Sequence, residues 1–390
     1  MPIALPCYNT AMIYLDNAAT SFPKPESVYQ AMDRFARQSL ANPGRAGHKM
    51  ALAAEHALDD ARHRLNQLFH GESPERFAFT LNCTDALNMA IKGVLRQGDH
   101  VITTDLEHNS ISRPLRALEL AGFITLTRVS ADGGGTVDPD AVRQALTAKT
   151  RLIAVTHASN VLGTVQPVAD FGRIAGERGA LLLVDAAQTA GVITIDVQAM
   201  GIDLLAFPGH KSLMGPTGTG ALYVRPGLNL SAWREGGTGG DSSSETQPKL
   251  WPYFLEGGTP NVLGVAGLAE GIKFVAERGL DKIHQHEVEL VERLWRRLEQ
   301  MPGFTVFGHR DHARRVGTIS FRSEALPAAE LGGILDQAFD IAIRPGLHCA
   351  PYIHRAIGTF PEGAVRVSPG AFSTAEEIDR IADALAEIVA

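Results

Sequence analysis

Apolar runs of strand length alternate with helical stretches along the N-terminal part of the chain, and this alternation restricts the fold more than any other feature. The predicted strands lie at residues 76–80, 100–104, 123–128, 151–155, 180–184 and 203–207. Such alternation is typical of βαβ units, in which a mostly parallel sheet is covered by helices on both faces. The sequence therefore predicts an α/β fold, and ligands of such sheets bind beyond the carboxyl ends of the strands.

The regular alternation ends at a loop rich in glycine and serine, and a different pattern follows it. Two long helical stretches, 262–275 and 280–300, precede an irregular mixture of strands and helices, and Ser373 with Glu376 predicts a capping box at the last helix. We therefore predict an N-terminal arm, a large domain that contains the parallel sheet, and a smaller α+β C-terminal domain. Their predicted bounds are 1–15, 16–260 and 261–390.

The composition of the 390 residues excludes several classes of function. A net charge of −7 without a basic stripe argues against nucleic acid or an anionic membrane as a partner. No apolar run has the length of a membrane span, and the N-terminus does not have the layout of a secretory signal. The three cysteines, Cys7, Cys83 and Cys349, do not suggest a disulfide framework, and no metal site is predicted. These features favour a cytoplasmic protein.

Two charged residues follow buried strands of the predicted sheet. Lys211 lies in a glycine-lined turn after the sixth strand, where it is poorly placed for solvent. A desolvated lysine has a lowered pKa and can form a Schiff base, although an ordinary loop lysine fits the same stretch. Asp185 ends the fifth strand, where a buried carboxylate needs a cationic partner. A protonated pyridine nitrogen would be such a partner, and the pairing would strengthen the ring as an electron sink.

Other polar residues follow the remaining strands. Thr84 lies at a helix start whose amides and hydroxyl could bind phosphate, although the hydroxyl could equally cap the helix. The charge of its neighbour Asp85 would oppose a phosphate unless the side chain points away. His108 could stack on a planar ring, but it could also be an ordinary structural histidine. The Asn160 amide could meet a phenolic oxygen or a carboxylate, and Gln188 follows the fifth strand.

A second reactive group is expected in the C-terminal domain. Cys349 lies in a turn between a predicted strand and helix, where Pro345 and Gly346 force a tight bend. Positive charge on Arg344 and His348 could stabilise a thiolate. A buried structural cysteine is the commoner case, so the residues alone leave both interpretations open.

This order of groups resembles the fold-type I pyridoxal-phosphate enzymes of the class V aminotransferase group. Within that group the chain is most similar to the cysteine desulfurases of the selenocysteine-lyase-like branch. The resemblance extends from residue 14 nearly to the C-terminus and rests on the segments YLDNAAT, THASNVLGT, VDAAQT, GHK, GGTPN and RPGLHCAP. It implies pyridoxal 5'-phosphate as the cofactor, a small amino acid as the substrate and a homodimer with shared sites.

The resemblance also implies a role for each candidate residue. Lys211 would hold the cofactor, Asp185 would pair with its ring nitrogen, and His108 would stack on its ring. The other cofactor-binding residues would be Gln188 near the phenolic oxygen, Thr84, Asp85 and His210 around the phosphate, and Thr259, which would reach the phosphate of the other subunit. The substrate carboxylate would be held by Asn160 and Arg366, with Arg344 near the same pocket.

By the same resemblance, the substrate would be free cysteine. Lys211 would move its α-proton, and the Cys349 thiolate would attack its sulfur. The products would be alanine and a persulfide on Cys349, which an acceptor thiol or protein would then collect. Cys83 competes only weakly as the nucleophile because it adjoins the expected phosphate site.

Two departures from the family pattern leave the exact reaction open. Pro208 stands three residues before Lys211, where the family usually has a serine or threonine that contributes to phosphate binding. Residues 236–248 also differ from the best-known members of the branch. A selenocysteine lyase, another carbon–sulfur lyase or a class V aminotransferase would use Lys211 without needing Cys349. A scaffold without catalytic activity in a sulfur-relay complex would need only the surface.

Overall fold

The computed structural model of the protein describes residues 12–44 and 47–390, so Cys7 and most of the predicted N-terminal arm lie outside the described residues. The helices are α1 Glu26–Gln38, α2 Lys49–Leu68, α3 Cys83–Val94, α4 Asn109–Leu120, α5 Pro139–Gln144, α6 Val168–Arg178, α7 Val262–Arg278, α8 Leu280–Glu299, α9 Ala328–Phe339, α10 Pro351–Ala356 and α11 Ala375–Val389. The strands are β1 Ile13–Tyr14, β2 Phe77–Thr80, β3 Asp99–Thr104, β4 Ile124–Val129, β5 Thr150–Thr156, β6 Leu181–Asp185, β7 Leu204–Pro208, β8 Gly220–Val224, β9 Phe304–Phe307, β10 Ile319–Ser323, β11 Ile341–Ala342, β12 Arg344–Gly346 and β13 Ala364–Val367.

A seven-stranded sheet forms the centre of the N-terminal part, with the strand order β2-β8-β7-β6-β5-β3-β4. Each of the six predicted strands is present, and each begins and ends within one residue of its predicted bounds. Strand β8 is antiparallel to both of its neighbours, whereas the other pairs are parallel. Only residues 209–219 connect β7 to β8, which is too short for a parallel crossover. The mostly parallel α/β sheet is therefore as predicted.

The central strands are buried on both faces, and this fixes where polar groups can lie. Strands β5, β6 and β7 consist almost entirely of buried residues, with separate apolar cores on the two sides of the sheet. Polar side chains that follow these strands therefore collect beyond their carboxyl ends. Because β7, β6, β5 and β3 are successive neighbours, these ends meet at one edge.

A four-stranded antiparallel sheet, ordered β12-β13-β10-β9, forms the second core with helices α8, α9 and α11. The apolar side chains of α7, among them Val265 and Leu268, belong instead to the core of the seven-stranded sheet. Those of α8, among them Leu294, belong to the second core. We therefore place the change from one core to the other near Gly279, after α7, rather than at the predicted boundary of 260 and 261. Both helices are long, and the sequence does not show against which sheet each one packs.

The last helix begins one residue later than the sequence predicts. Thr374 is its N-cap and forms a capping box with Glu377, so the prediction of Ser373 with Glu376 is wrong. The Ser373 hydroxyl instead accepts a hydrogen bond from the Gly370 amide. The pair Ser373 and Glu376 and the pair Thr374 and Glu377 both fit the capping pattern. The turn before the helix decides between them, because it uses the Ser373 hydroxyl. No helix among the described residues is both long and apolar enough to cross a membrane.

Candidate active site

The carboxyl ends of β7, β6, β5 and β3 open onto one cavity of about 200 Å³. Eight of the predicted site residues line it: Thr84, His108, Asn160, Asp185, Gln188, His210, Lys211 and Arg344. Cys349 and Arg366 lie next to this group, whereas Asp85 and Thr259 do not line the cavity. The fold therefore brings together most of the residues that the sequence singled out.

Lys211 lies in the turn that follows β7, and neighbouring groups fix the backbone of this turn. The Lys211 carbonyl accepts hydrogen bonds from the Ser21 hydroxyl at 2.7 Å and from the Met214 amide at 2.8 Å. The preceding carbonyl of His210 accepts one from Lys24 Nζ at 2.7 Å. Burial lowers the pKa of Lys211 to about 8, and the charge of Arg366 acts in the same direction. Near neutral pH this amine is therefore unprotonated far more often than an exposed lysine.

Asp185 ends β6 and is 3% exposed. Its Oδ1 accepts hydrogen bonds from the Ala187 amide at 2.9 Å and from Cys83 Sγ at 3.4 Å. Oδ2 accepts none from the described residues and can pair with a cationic group in the cavity. Burial raises the pKa of the Cys83 thiol well above its usual value, and the Asp185 charge adds to the effect. Cys83 is therefore a protonated donor to Asp185, which argues against it as a nucleophile.

His108 is the N-cap of α4, where its Nδ1 accepts a hydrogen bond from the Ser110 amide. Burial lowers its pKa to about 4, with nearby cationic side chains adding to the shift, so the imidazole is neutral near pH 7. Because Nδ1 is an acceptor, the proton of the neutral ring lies on Nε2. A neutral ring of this kind can lie against a planar ligand.

The Thr84 hydroxyl does not cap its helix, and that alternative is wrong. Asn82 is the N-cap of α3 and accepts a hydrogen bond from the Asp85 amide at 2.9 Å. The Thr84 hydroxyl lies 2.7 Å from the Ser110 hydroxyl and lines the cavity. The side chain of Asp85 is directed to Asn82 Nδ2, 3.5 Å away, which removes the expected conflict between its charge and a bound phosphate.

His210 provides a further polar atom on the same side of the cavity. Burial lowers its pKa to about 4, helped by the charges of Lys211 and Lys24, so it is neutral near pH 7. Its Nδ1 is buried and has no hydrogen-bond partner among the described residues. A buried ring nitrogen without a partner is costly unless a ligand satisfies it.

The Cys349 turn is held against the large sheet by two hydrogen bonds. Both His348 and Cys349 have positive φ angles, 48° and 58°, which are unfavourable for residues with a Cβ. The His348 carbonyl accepts a hydrogen bond from Asn160 Nδ2 at 2.6 Å, and the Cys349 carbonyl accepts one from the Asn109 amide at 2.7 Å. Groups of the N-terminal sheet thus maintain the conformation of a turn in the C-terminal part.

Arg344 connects this turn to the cavity, because it lines the cavity and its Nη2 lies 3.6 Å from Cys349 Sγ. The expectation that His348 adds positive charge is wrong. Burial lowers the pKa of His348 to about 2, and its Nε2 donates a hydrogen bond to the Arg344 carbonyl at 2.9 Å. Arg344, rather than His348, therefore provides positive charge beside the thiol.

Arg366 is 1% exposed and forms an ion pair with Asp16, whose Oδ1 lies 2.6 Å from Nη2. Its Nη1 donates to the Asn160 carbonyl at 3.1 Å, and its buried Nε has no partner among the described residues. The Asn160 side chain already holds the Cys349 turn, so it positions that turn as well as lining the cavity.

Thr259 lines a second cavity of about 330 Å³ with glycines 237 and 239 of the loop that departs from the family pattern. The buried ion pair between Arg62 and Glu256 also lines this cavity, and Arg62 Nη2 lies 2.7 Å from Glu256 Oε2. Thr259 is therefore separate from Lys211 within one chain.

Comparison with known proteins gives the family. The model of the class V aminotransferase family matches residues 13–381. The chain belongs to this family. A probable cysteine desulfurase of Methanothermobacter thermautotrophicus is 36% identical over 382 residues, which cover 96% of this chain and 94% of that protein. A probable cysteine desulfurase of Halalkalibacterium halodurans is 35% identical over 383 residues, covering 96% and 92%.

Solved structures agree with this result. The apo cysteine desulfurase of Thermococcus onnurineus NA1 has a TM-score of 0.91 and 32% identity, covering 97% of this chain and 94% of that one. The cysteine desulfurase CsdA of Escherichia coli has a TM-score of 0.89 and 28% identity, covering 99% and 97%. The predicted fold class and the predicted resemblance to class V enzymes of the cysteine desulfurase type are confirmed.

Three residues of this class V enzyme were missed by the sequence analysis: Ser110, Asp16 and Glu107. Ser110 could have been found from its place in the first turn of a helix, two residues after a candidate histidine. Asp16 is the carboxylate that a buried arginine requires, but nothing in the sequence pairs it with Arg366. Glu107 is fully buried, and its Oε1 accepts a hydrogen bond from the Thr104 hydroxyl at 2.7 Å.

Glu107 generates a prediction about stability. Burial raises its pKa from 4.5 to about 8, and the Asp185 charge adds to the shift. The folded protein therefore holds a proton there that the unfolded chain has lost, and this contribution to stability, fully present below pH 4.5, disappears as the pH rises to about 8. Glu107→Gln should reduce the fall in the free energy of unfolding between pH 5 and 8 by a few kcal/mol, on the order given by linkage.

Urea denaturation at a series of pH values measures this effect. Glu362→Gln, a change at an exposed carboxylate, is the control and should keep the pH dependence of the unmodified protein. Identical pH dependence in the Glu107→Gln variant and the unmodified protein would show that Glu107 titrates normally.

Proposed function

We propose that the protein is a pyridoxal-phosphate-dependent cysteine desulfurase, which converts L-cysteine to L-alanine and takes up the sulfur as a persulfide on Cys349. The observation that carries this proposal is the position of Arg344, which lines the cavity with Lys211 and lies 3.6 Å from the Cys349 sulfur. The names of relatives at 33–36% identity support it. A class V enzyme that did not use Cys349 would not require this thiol beside the cavity.

The cavity residues fit pyridoxal phosphate. The unpartnered His210 Nδ1 and the Thr84 hydroxyl would bind its phosphate, and Asp185 Oδ2 would pair with its ring nitrogen. The neutral His108 ring would lie against its ring, with Gln188 near the phenolic oxygen. Lys211 would bind it covalently, because its amine has a low pKa and lines the same cavity. When bound, this cofactor supplies an electron sink for negative charge that develops on the substrate.

The protein's own side chains would then perform the remaining steps. The carboxylate of the substrate would meet Arg366, where Nε offers an unused donor, with Arg344 nearby. Lys211, partly unprotonated near neutral pH, would take the proton from the α-carbon. The Cys349 thiolate would attack the substrate sulfur, so that a sulfur–sulfur bond forms as the carbon–sulfur bond breaks. The electron pair of the broken bond would stay with the β-carbon, which would gain a proton, and Lys211 would return a proton to the α-carbon to give alanine.

The persulfide must then be passed on. Cys349 lies in a turn that hydrogen bonds fix on both sides, so its reach is short. We therefore propose that an acceptor thiol, free or on a protein, approaches this turn. Sulfide release that stays unchanged with every acceptor tested would contradict this step.

We also propose that the protein is a homodimer in which Thr259 reaches the phosphate of the other subunit. Thr259 lines an open cavity that is distinct from the one with Lys211, as a residue serving the other subunit would. Light scattering that finds a monomer with bound cofactor would contradict this proposal.

Lys211→Ala tests the cofactor assignment. The variant should lose the visible absorption band of the bound cofactor, because no other lysine among the residues that the structure describes lines the cavity. Lys92→Ala, at an exposed lysine, is the control and should keep the band. Lys24 is a competing attachment site, because burial lowers its pKa to about 7. Peptide mapping after borohydride reduction identifies which lysine holds the cofactor. Label on Lys24 instead of Lys211 would overturn the assignment.

Cys349→Ala tests the desulfurase reaction. Formation of alanine and sulfide from cysteine should fall by roughly 100-fold or more, equivalent to about 2.7 kcal/mol of activation free energy. Mass spectrometry after incubation with cysteine should find one added sulfur on Cys349 in the unmodified protein. Cys83→Ala is the control and should leave that modification at Cys349. Activity that survives in Cys349→Ala would identify an ordinary lyase or an aminotransferase.

A further inference from the structure

We propose that the Ser110 hydroxyl is a second donor to the cofactor phosphate, beside Thr84, and that it replaces the hydroxyl that Pro208 cannot provide. This inference rests on the proposed cofactor and adds a residue to its binding site. Neither the sequence pattern nor the comparisons assign a role to Ser110.

The position of Ser110 is the first support. Its side chain belongs to the first turn of α4, is 8% exposed and lines the cavity together with Thr84, His210 and Pro208. Its Oγ lies 2.7 Å from Thr84 Oγ1, which belongs to the first turn of α3. Two helix starts thus bring two hydroxyl groups together at one end of the cavity. Their separation is comparable to that of two oxygens of one phosphate group.

The hydroxyl protons of Ser110 and Thr84 are both available to a ligand. Ser110 Oγ also lies 2.8 Å from His108 Nδ1, but this nitrogen already accepts the Ser110 backbone amide at 3.1 Å. Each hydroxyl rotates about its bond and carries one proton. In the absence of an anion, the pair can bond with each other and with His108. An anion at this end of the cavity can receive both protons without leaving His108 Nδ1 unsatisfied.

The charges around the cavity make such donors important. His108 and His210 are neutral near pH 7, because burial lowers the pKa of each to about 4. Pro208 lines the cavity but offers neither a hydroxyl nor an amide proton. Neutral donors such as these hydroxyl groups therefore contribute to the stabilisation of a phosphate, and each hydrogen bond to a charged group contributes substantially.

Ser110 could instead serve only to position His108, and comparison of two ligands distinguishes the two roles. Pyridoxal phosphate and pyridoxal share the ring and the aldehyde and differ in the phosphate. Loss of a phosphate donor weakens binding of pyridoxal phosphate alone. Loss of a group that only orients His108 weakens binding of both ligands by the same factor.

The experiment is an equilibrium titration of the full-length apo-protein with each ligand. Ser110→Ala should weaken binding of pyridoxal phosphate by about 10- to 100-fold, and that of pyridoxal by less than about twofold. Ser112→Ala is the matched control. Ser112 is 2% exposed in the same helix, but its hydroxyl donates to the Glu107 carbonyl, and it does not line the cavity. This variant should keep the ratio of the two affinities found in the unmodified protein.

Each outcome has a distinct meaning. An unchanged ratio in Ser110→Ala would overturn the inference and leave the proposed function intact. An unmodified protein that binds neither ligand would overturn the proposed function itself. If Ser110→Ala does not fold, Ser110→Cys replaces it, because a thiol is similar in size and a weaker donor. The affinity for pyridoxal phosphate relative to that for pyridoxal should then be lower in Ser110→Cys than in the unmodified protein. An unchanged ratio would overturn the inference.

Discussion

The hydrogen bonds that join the Cys349 turn to the seven-stranded sheet are the interactions on which the site depends. The turn follows β12 of the four-stranded sheet, and the positive φ angles of His348 and Cys349 are unfavourable without support. Asn160, in the loop after β5, and the amide of Asn109, the first residue of α4, supply that support. The same contacts therefore fix the backbone of the turn and hold the thiol beside the cavity. A site assembled in this way requires both cores to be folded.

Burial determines which groups in the site carry charge. It keeps the imidazoles of His108, His210 and His348 neutral and lowers the pKa of Lys211 to about 8. The permanent cations that remain are guanidinium groups. Arg366 is paired with Asp16, whereas Arg344 lies between the cavity and Cys349. His348, which the sequence suggested as a source of positive charge, is thus a neutral hydrogen-bonding group, because desolvation opposes its protonation.

Most of the fold follows from local sequence patterns. The strands β2 to β7 were located within one residue because most of them are short runs rich in apolar and β-branched residues, and the central ones are buried on both faces. We place the change between the two cores after α7, since only packing assigns each of the two consecutive helices to its sheet. The last helix was capped one residue too early for a related reason. Two adjacent residues satisfy the capping pattern, and the turn before the helix selects Thr374.

The sequence by itself determined the α/β class, the positions of the strands and the set of polar residues that follow them, because these depend on local periodicity and on the cost of burying charge. Tertiary structure alone decided which of these residues share a cavity and in what protonation state. The pairing of Arg366 with Asp16, the neutral state of His348 and the contact between Ser110 and Thr84 join segments far apart in the chain or depend on burial. No local pattern encodes such contacts, since both the distance between two side chains and their loss of solvent arise only when the cores assemble.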